Sequence, residues 1–520
     1  MKQIVHFSRL LLLSFFITTS AVGQDQKRAL GNIGNNESLK SGQVLYSQSG
    51  LLKMQIQNNS LNIMKTSTVI WQSKNWNSDF NKSKTDNLVF ENGNIKCYFK
   101  NKLTWSSRTG FLNSKLILGD DGILKIISID NKVLWENFAG TASSIKPPLV
   151  SGGDEGPFTD SMMHPTDKIK LYALFVDWPD AKATTNKFDS LWNRRTSNGE
   201  LFSSLKQQGR AINLKVESQL SKKWYTLPKP TSFYFPPTSE DGVWNWEEYI
   251  KDCPAFLPSA FGLDSFSENS IVVIIPNPSI GDKWKNGVPT GNLPIKFRGI
   301  KYLISMHPNE TNNYRSMMHE IGHCYGSGEL YSIPNDMFHT EIFGLDMMGD
   351  SYFATGFMGY HRYRYGWLPF NKSNPKSIYL TQKHSYGVTL TPLSANKGIC
   401  MVLIPDASVS TDSLNNPHKL WGIEISQDVQ SPEQYFAGNQ EKIFKEGESL
   451  IIYSVESQEQ PGKRAIRLIS KTGKPPQPDE RWSKVFLYKD GETFQNSSAP
   501  MDVKIYRNAD GSFYLDIKIK

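Results

Sequence analysis

Between residues 37 and 137 apolar and polar positions alternate in short runs broken by Asn, Gly and Asp, the period-two pattern of half-buried strands. The pattern repeats. Val69-Ile70-Trp71-Gln72-Ser73, Leu103-Thr104-Trp105-Ser106-Ser107 and Val133-Leu134-Trp135-Glu136-Asn137 recur at spacings of 34 and 30 residues. Each follows a strand–turn–strand stretch, such as Asn92-Gly93-Asn94 leading into the run from Ile95 to Phe99. Three hairpin units with one tryptophan apiece predict three small sheets that place Trp71, Trp105 and Trp135 in one shared core. A Gly/Pro/Ser-rich stretch from Gly140 to Pro157 has the punctuation of an exposed connector. The apolar run at 169–176 then reads as a central strand, with further strands at 270–275 and 300–306 and helical stretches between. From about residue 378 short strands return, at 419–426, 448–455 and 513–519, and predict a β-sandwich-like region.

These patterns divide the chain into an all-β domain at 24–145, a linker at 146–165, an α+β domain at 166–375 and a β-rich domain at 376–520. A mature chain of this length is expected to form two to four domains. Residues 1–23 stand apart. Lys2 and Arg9 precede an apolar run from Leu10 to Ile17, and Ala21-Val22-Gly23 offers small residues for cleavage, the three parts of a secretory signal peptide. The run is too short to span a bilayer, which takes roughly 20 apolar residues. No later stretch reads as transmembrane, so a secreted or extracytoplasmic protein is expected. Removing those residues lowers the net charge from +8 to +6, small against 58 basic and 50 acidic side chains and with no concentrated basic tract. Nucleic acid is therefore not an expected partner. Cys97, Cys253, Cys324 and Cys400 are scattered without a CxxC pair; three pairings are open, and the sequence does not choose among them.

The chemistry concentrates at residues 317–331. On a helix His319 and His323 lie four residues apart on one face, so both imidazoles reach one ion. Zinc favours such nitrogen ligands in a tetrahedral site with one position left for water. Glu320 is turned about 100° from His319, which suits a base acting on that water. Gly326 is placed to end the helix in a left-handed turn, and Ser327-Gly328 to return Glu329 to the metal as third ligand. Downstream, Leu345-Asp346-Met347-Met348-Gly349-Asp350 reads as a Met-turn with Met348 beneath the metal. The expected reaction is peptide-bond hydrolysis in protein or peptide substrates, with water deprotonated by Glu320. An edge strand at 301–306 is expected to hold the extended substrate.

Two resemblances add to this. His319 to Tyr331, residues 345–348 and the stretch from Gly356 ending in Arg364-Tyr365-Gly366-Trp367-Leu368 resemble the immune inhibitor A type of secreted zinc metallopeptidase, with its metzincin-like catalytic fold. Phe175-Val176-Asp177-Trp178-Pro179-Asp180 is similar to that family's first strand, and residues 420–424 and 447–453 to the β-rich region after its catalytic domain. The family usually has Asp where Glu329 stands and Leu-Pro where Ser327-Gly328 stand. It implies Zn2+ and structural Ca2+, although no EF-hand-like loop occurs here.

The first domain resembles the monocot mannose-binding bulb lectins, a β-prism with three-fold pseudo-symmetry. That family reads mannose with a QxDxNxVxY strand motif. Here the best match is Phe90, Asn92, Asn94, Lys96 and Tyr98, so only Asn94 and Tyr98 are unchanged. The third repeat keeps Asp121 but has Ile123 and Ile127; the first offers Ile56, Asn58, Ser60, Asn62 and Met64. Asn92, Asn94, Tyr98 and Asp121 are thus the carbohydrate-binding candidates, and the resemblance implies a glycan partner with weak mannose affinity. Two other readings stay open: a gluzincin-type peptidase with Glu341 as third ligand, and a non-catalytic carbohydrate-binding surface protein on a retired peptidase fold.

Overall fold

The computed structural model describes the chain from residue 29 onward, apart from 73–83, 108, 121, 139–148, 150–161, 236–244, 268, 279–290, 298–299, 307–313, 329, 331–341, 343, 350–353, 369–375, 396–397, 409–410, 412–416, 428, 431–442, 445–446, 457–464 and 473–484. The protein is multidomain and rich in β-structure, with its longer helices gathered about one sheet. Residues 1–23 and most of the expected linker lie outside the described residues. No helix among the described residues is long and apolar enough to cross a membrane.

The three tryptophan repeats share a backbone device. In each, the Trp strand pairs antiparallel with the strand before it, and the register slips by one residue just ahead of the tryptophan. Ile63 faces Trp71 while Met64 faces Val69; Cys97 faces Trp105 while Tyr98 faces Leu103; Ile126 faces Trp135 while Ile127 faces Val133. Ile70, Thr104 and Leu134 are the extra residues of three equivalent β-bulges, which bend the strand ahead of each tryptophan. Alternating buried positions such as those of Leu52–Gln57, Asn87–Glu91 and Ser114–Leu118 feed one core around Ile33, Leu39, Met54, Phe90, Leu116 and Trp135. Trp135 is fully enclosed, whereas Trp105 packs only at the rim of this core, and the Trp71 side chain lies outside the description.

The third unit does not stop at its own edge. Val133–Phe138 runs parallel to Ser385–Leu390, with Trp135 opposite Ser385 and Phe138 opposite Val388. Ser114–Leu118, Leu124–Ser128 and Val133–Phe138 thereby continue through Ser385–Leu390, Phe513–Ile519 and Met501–Arg507 to Thr493–Gln495, a seven-stranded sheet drawn from both ends of the chain. Side chains close the seam. Trp105 meets Tyr514 edge-on at 6.1 Å, and the Tyr514 hydroxyl donates to Ser107 O at 3.3 Å. Gly387 is required there, because a Cβ on it would stand 2.7 Å from both Trp135 and the Tyr514 hydroxyl. Glu136 lies 3.2 Å from His384 and 3.5 Å from Lys125. Burial pushes its pKa up, but the His384 hydrogen bond and the Lys125 charge outweigh burial and hold the carboxyl below its usual range.

A second sheet, Ser377–Tyr379, Met401–Pro405, Lys419–Ile425, Leu450–Glu456 and Ile466–Leu468, packs on the C-terminal half of the first. Both of its faces are buried. Val402, Ile423 and Ile452 point into the sandwich, while Leu403, Leu420, Ile451 and Tyr453 join the core of the helical region. That burial explains the unbroken apolar runs in these strands, where a half-exposed sheet would alternate.

The third sheet runs Lys215–Leu220, Lys168–Asp177, Ser270–Pro276, Ile300–Ser305, Gly291–Phe297. The first four are parallel and the last is antiparallel. Ile169, Leu171, Ala173 and Phe175 face the helices Glu200–Gln208 and Tyr314–Cys324, and Tyr172, Leu174 and Val176 face Trp246–Asp252 and Leu257–Phe261. The expectation of an edge strand at 301–306 is corrected: Ile300–Ser305 sits inside the sheet, and Gly291–Phe297 is the edge. Alternation alone could not tell the two apart, because the edge is set by which strand follows back antiparallel.

The continuous sheet makes a direct prediction. A protease cut within residues 152–157 severs the chain between the tryptophan repeats and the helical region, yet the two fragments should co-elute on gel filtration under native conditions. Separation of the fragments without denaturant would contradict the seam.

Candidate metal centre

The helix Tyr314–Cys324 is amphipathic and nearly engulfed, with Met317, Met318, Ile321 and Cys324 in the core. Gly326 ends it at φ +81°. The Gly326 amide donates to His323 O at 2.7 Å and the Ser327 amide to Gly322 O at 3.3 Å, the paired closure of a left-handed helix end. Any side chain at 326 would also strike Met162, whose Sδ stands 2.4 Å from the Cβ position.

The structure brings His319 and His323 together with their Nε2 atoms 3.1 Å apart and their rings at 89°. Their other nitrogens face backbone oxygens: His319 Nδ1 is 2.8 Å from Met347 O, and His323 Nδ1 is 2.7 Å from Ser327 O. A carbonyl only accepts, so each ring carries its proton on Nδ1 and turns an Nε2 lone pair toward the other ring. Two lone pairs at this distance repel unless a positive charge lies between or beside them. Two imidazole nitrogens this close could both reach one zinc ion, whose bonds to nitrogen are about 2.0–2.1 Å, so the donor chemistry suits the metal. His319 is buried and His323 half-buried; Glu320, the next residue after His319, is also buried. Glu329 and Glu341, the two alternative third ligands, lie outside the described residues. Among the described residues no three His, Cys, Asp or Glu side chains form a metal-holding group.

Met348 is buried against the same helix. A Cβ on Gly322 would come 2.4 Å from Met348 Sδ, so the glycine between the histidines is what lets the methionine approach. The turn that carries Met348 is held by the acid that precedes its two methionines. Asp346, fully buried, accepts from the Met348 amide at 2.8 Å through Oδ1 and from the Met358 amide at 2.6 Å through Oδ2. His361 Nδ1 lies 2.8 Å from the same Oδ2. Gln208 and Gln427 clamp the segment that leads into the next helix: Gln208 Oε1 accepts from the Phe357 amide at 3.1 Å, and Gln427 Nε2 donates to Phe357 O at 2.8 Å. On the other side, Arg364 donates to Tyr325 O at 2.7 Å, and the Ser327 hydroxyl pairs with the Tyr365 hydroxyl at 2.7 Å. The one signal that could have singled out Asp346 was an acid inside an apolar, methionine-flanked run, where a carboxylate survives only if paired. Nothing in the spacing of His361, Arg364 or Tyr365 announced their partners.

The expected sugar residues fare differently. Asn92 (φ 51°) and Gly93 (φ 69°) form the two-residue turn between Asn87–Glu91 and Asn94–Phe99. The reading of Phe90, Asn92, Asn94, Lys96 and Tyr98 along one strand is therefore corrected, since an Asn-Gly turn of this hand folds the segment into a hairpin. Phe90 is in the core, and Asn94 Oδ1 already accepts from the Ser106 and Ser107 hydroxyls at 2.9 Å each. Lys96 pairs with Glu91 at 2.6 Å. In the other repeats Ile56, Met64, Ile123 and Ile127 are buried, Asn62 bonds to backbone oxygens of Gln57 and Ser60, and Asp121 lies outside the described residues. None of the four cysteines is in a disulfide; all are buried thiols.

Lectins are among the solved structures similar to part of this chain. A Marasmius oreades lectin is 19% identical, covering 20% of this chain and 87% of its own, with a TM-score of 0.18. A monomeric monocot mannose-binding lectin from Gastrodia elata is 26% identical over 20% of this chain and 92% of its own, with a TM-score of 0.17. The mannose-specific agglutinin of snowdrop (Galanthus nivalis) bulbs, complexed with methyl-α-D-mannoside, is 25% identical over 18% and 85%, with a TM-score of 0.15. No family model and no curated protein matches the chain.

Asp346→Asn should destabilise the protein by about 1–3 kcal/mol, because an amide turns a donor toward groups that themselves donate; thermal unfolding measures it. Calorimetric titration of the full chain with mannose should show no submillimolar binding, since Phe90, Asn92 and Lys96 depart from the motif and the Asn94 oxygen is already spent on two hydroxyls. Submillimolar heat would overturn that account of the first domain.

Proposed function

We propose that the protein is a secreted zinc-dependent endopeptidase of the immune inhibitor A type, with a metzincin-like catalytic domain. His319, His323 and Glu329 hold the metal and Glu320 is the general base. The observation that carries this reading is the pair of Nε2 atoms converging at 3.1 Å, each fixed by a carbonyl behind it. Bound zinc supplies Lewis acidity, lowering the pKa of a water toward ~7 and polarising a peptide carbonyl.

The rest of the work falls to this chain's own groups. Glu320 follows His319 on the helix, about 100° further round, and its carboxylate takes the proton of the attacking water and returns it to the leaving amine. Met347 O and Ser327 O keep the two imidazoles in one tautomer and one orientation. Met348 fills the space under the helix that Gly322 leaves open. The edge strand Gly291–Phe297 offers backbone groups to an extended peptide. Export rests on the pattern of residues 1–23, and the first domain is assigned to a glycan other than mannose or to a structural role.

Glu320→Gln should retain one zinc per chain and lose casein hydrolysis, because it removes the base and no ligand. Wild-type digestion by that variant would refute the role of Glu320. His323→Ala should lose the metal as well as the activity. Glu329→Ala should weaken zinc binding sharply and Glu341→Ala should not; the reverse result would move the third ligand to Glu341 and sink the metzincin reading.

A further inference from the structure

Behind the two imidazoles lies a short helix, Gly359–Arg364, whose residues reach the supports of both. On one side His361 meets Asp346, which holds the turn whose Met347 O receives His319. On the other, Arg364 and the adjoining Tyr365 hold Tyr325 O and the Ser327 hydroxyl, in the residue whose carbonyl receives His323. Six residues cannot sustain a helix by themselves, because nucleation costs more than so few bonds return. Its first amides need acceptors, and two buried carboxylates provide them. Asp346 takes the Met358 amide, and Glu424 takes the Gly359 amide at 3.0 and 2.9 Å through both oxygens.

Glu424 belongs to Lys419–Ile425, in the C-terminal sheet, and is fully buried. Its Oε2 also accepts from the Tyr453 hydroxyl at 2.9 Å. Gly359 is fitted to it: a Cβ there would stand 2.5 Å from Oε2. Burial pushes the carboxyl up to about 7 against the pull of these donors, so the group is retained at a cost that packing alone does not explain.

We infer that Glu424 is a positioning residue for the metal-binding histidines, acting from the C-terminal sheet through the helix Gly359–Arg364. It fixes the start of that helix. The helix then sets Met347 O through His361 and Asp346, and Ser327 O through Arg364 and Tyr365. Both imidazoles thus take their aim from a carboxylate on another domain's strand. The inference rests on the zinc reading above, and it makes the C-terminal sheet part of the metal site's construction.

The test uses the full chain, loaded with zinc or with cobalt(II) as a spectroscopic probe. Glu424→Gln should weaken zinc binding about tenfold in competition with a chelator and should shift the visible cobalt bands, which report ligand geometry. Ile505→Ala, in the sandwich core away from this helix, serves as the control for general destabilisation and should leave affinity and bands unchanged. Glu424→Gln with wild-type affinity and spectrum overturns the inference, as does an equal loss in Ile505→Ala. Should Glu424→Gln fail to fold, Tyr453→Phe removes one donor to the carboxylate; a roughly threefold loss of affinity supports positioning, and wild-type behaviour overturns it. A wild-type chain that takes up no zinc fails at the earlier step and removes the metallopeptidase reading with it.

Discussion

The carboxylate of Asp346 is the constraint on which the centre of this molecule turns. A fully buried acid is tolerated only when its oxygens are matched by donors, and here the donors come from three places in the chain: the Met348 amide, the Met358 amide and His361. Satisfying one charge therefore closes a loop, starts a helix and orients a ring together. Because the same loop presents Met347 O to His319, the geometry of an imidazole is a by-product of neutralising an acid. Such an arrangement is stiff, since no single bond in it can lengthen without exposing another group to an unmet partner.

Around that point the domains are less separate than their sequences suggest. The sheet containing Lys419–Ile425 and Leu450–Glu456 gives one face to the sandwich and the other to the helical core. Removing it would strip the helical region of Leu403, Ile451 and Tyr453 together, and each buried apolar side chain is worth roughly 1.5–3 kcal/mol. The stability of the helical region is in that sense borrowed from the strands behind it. The tryptophan repeats are joined on in another way, by backbone pairing along Val133–Phe138 and by the fit of Gly387 under Trp135.

Much of this was legible in the residues. Strand alternation, the tryptophan spacing and the glycine at 326 each carry a local physical signal, and local signals survive reading one residue at a time. The three bulges ahead of Trp71, Trp105 and Trp135 are the structural counterpart of the spacing of 34 and 30 residues. The pairing of His319 with His323 was legible for the same reason, since helical periodicity alone sets it. What could not be read was contact between distant segments. No pattern at Glu424 points 65 residues back to Gly359. Nor does anything in residues 300–306 say that a partner strand would cover them, whereas the Asn-Gly turn at 92–93 is a local signal that the structure keeps.

The seam between Val133–Phe138 and Ser385–Leu390 also bears on how the chain acquires its shape. Strands about 250 residues apart must find each other, and Ser385–Leu390 in turn pairs with Phe513–Ile519 at the extreme end of the sequence. Pairings of such separation slow folding, because most of the chain's freedom is surrendered before they form. Val133–Phe138 is synthesised about 250 residues before Ser385–Leu390, so its outer edge waits that long for a neighbour. Until then that strand is an open edge, the kind of surface on which nascent chains recruit one another or a chaperone. Arrival of Ser385–Leu390 is thus the event that covers the outer edge of the tryptophan repeats.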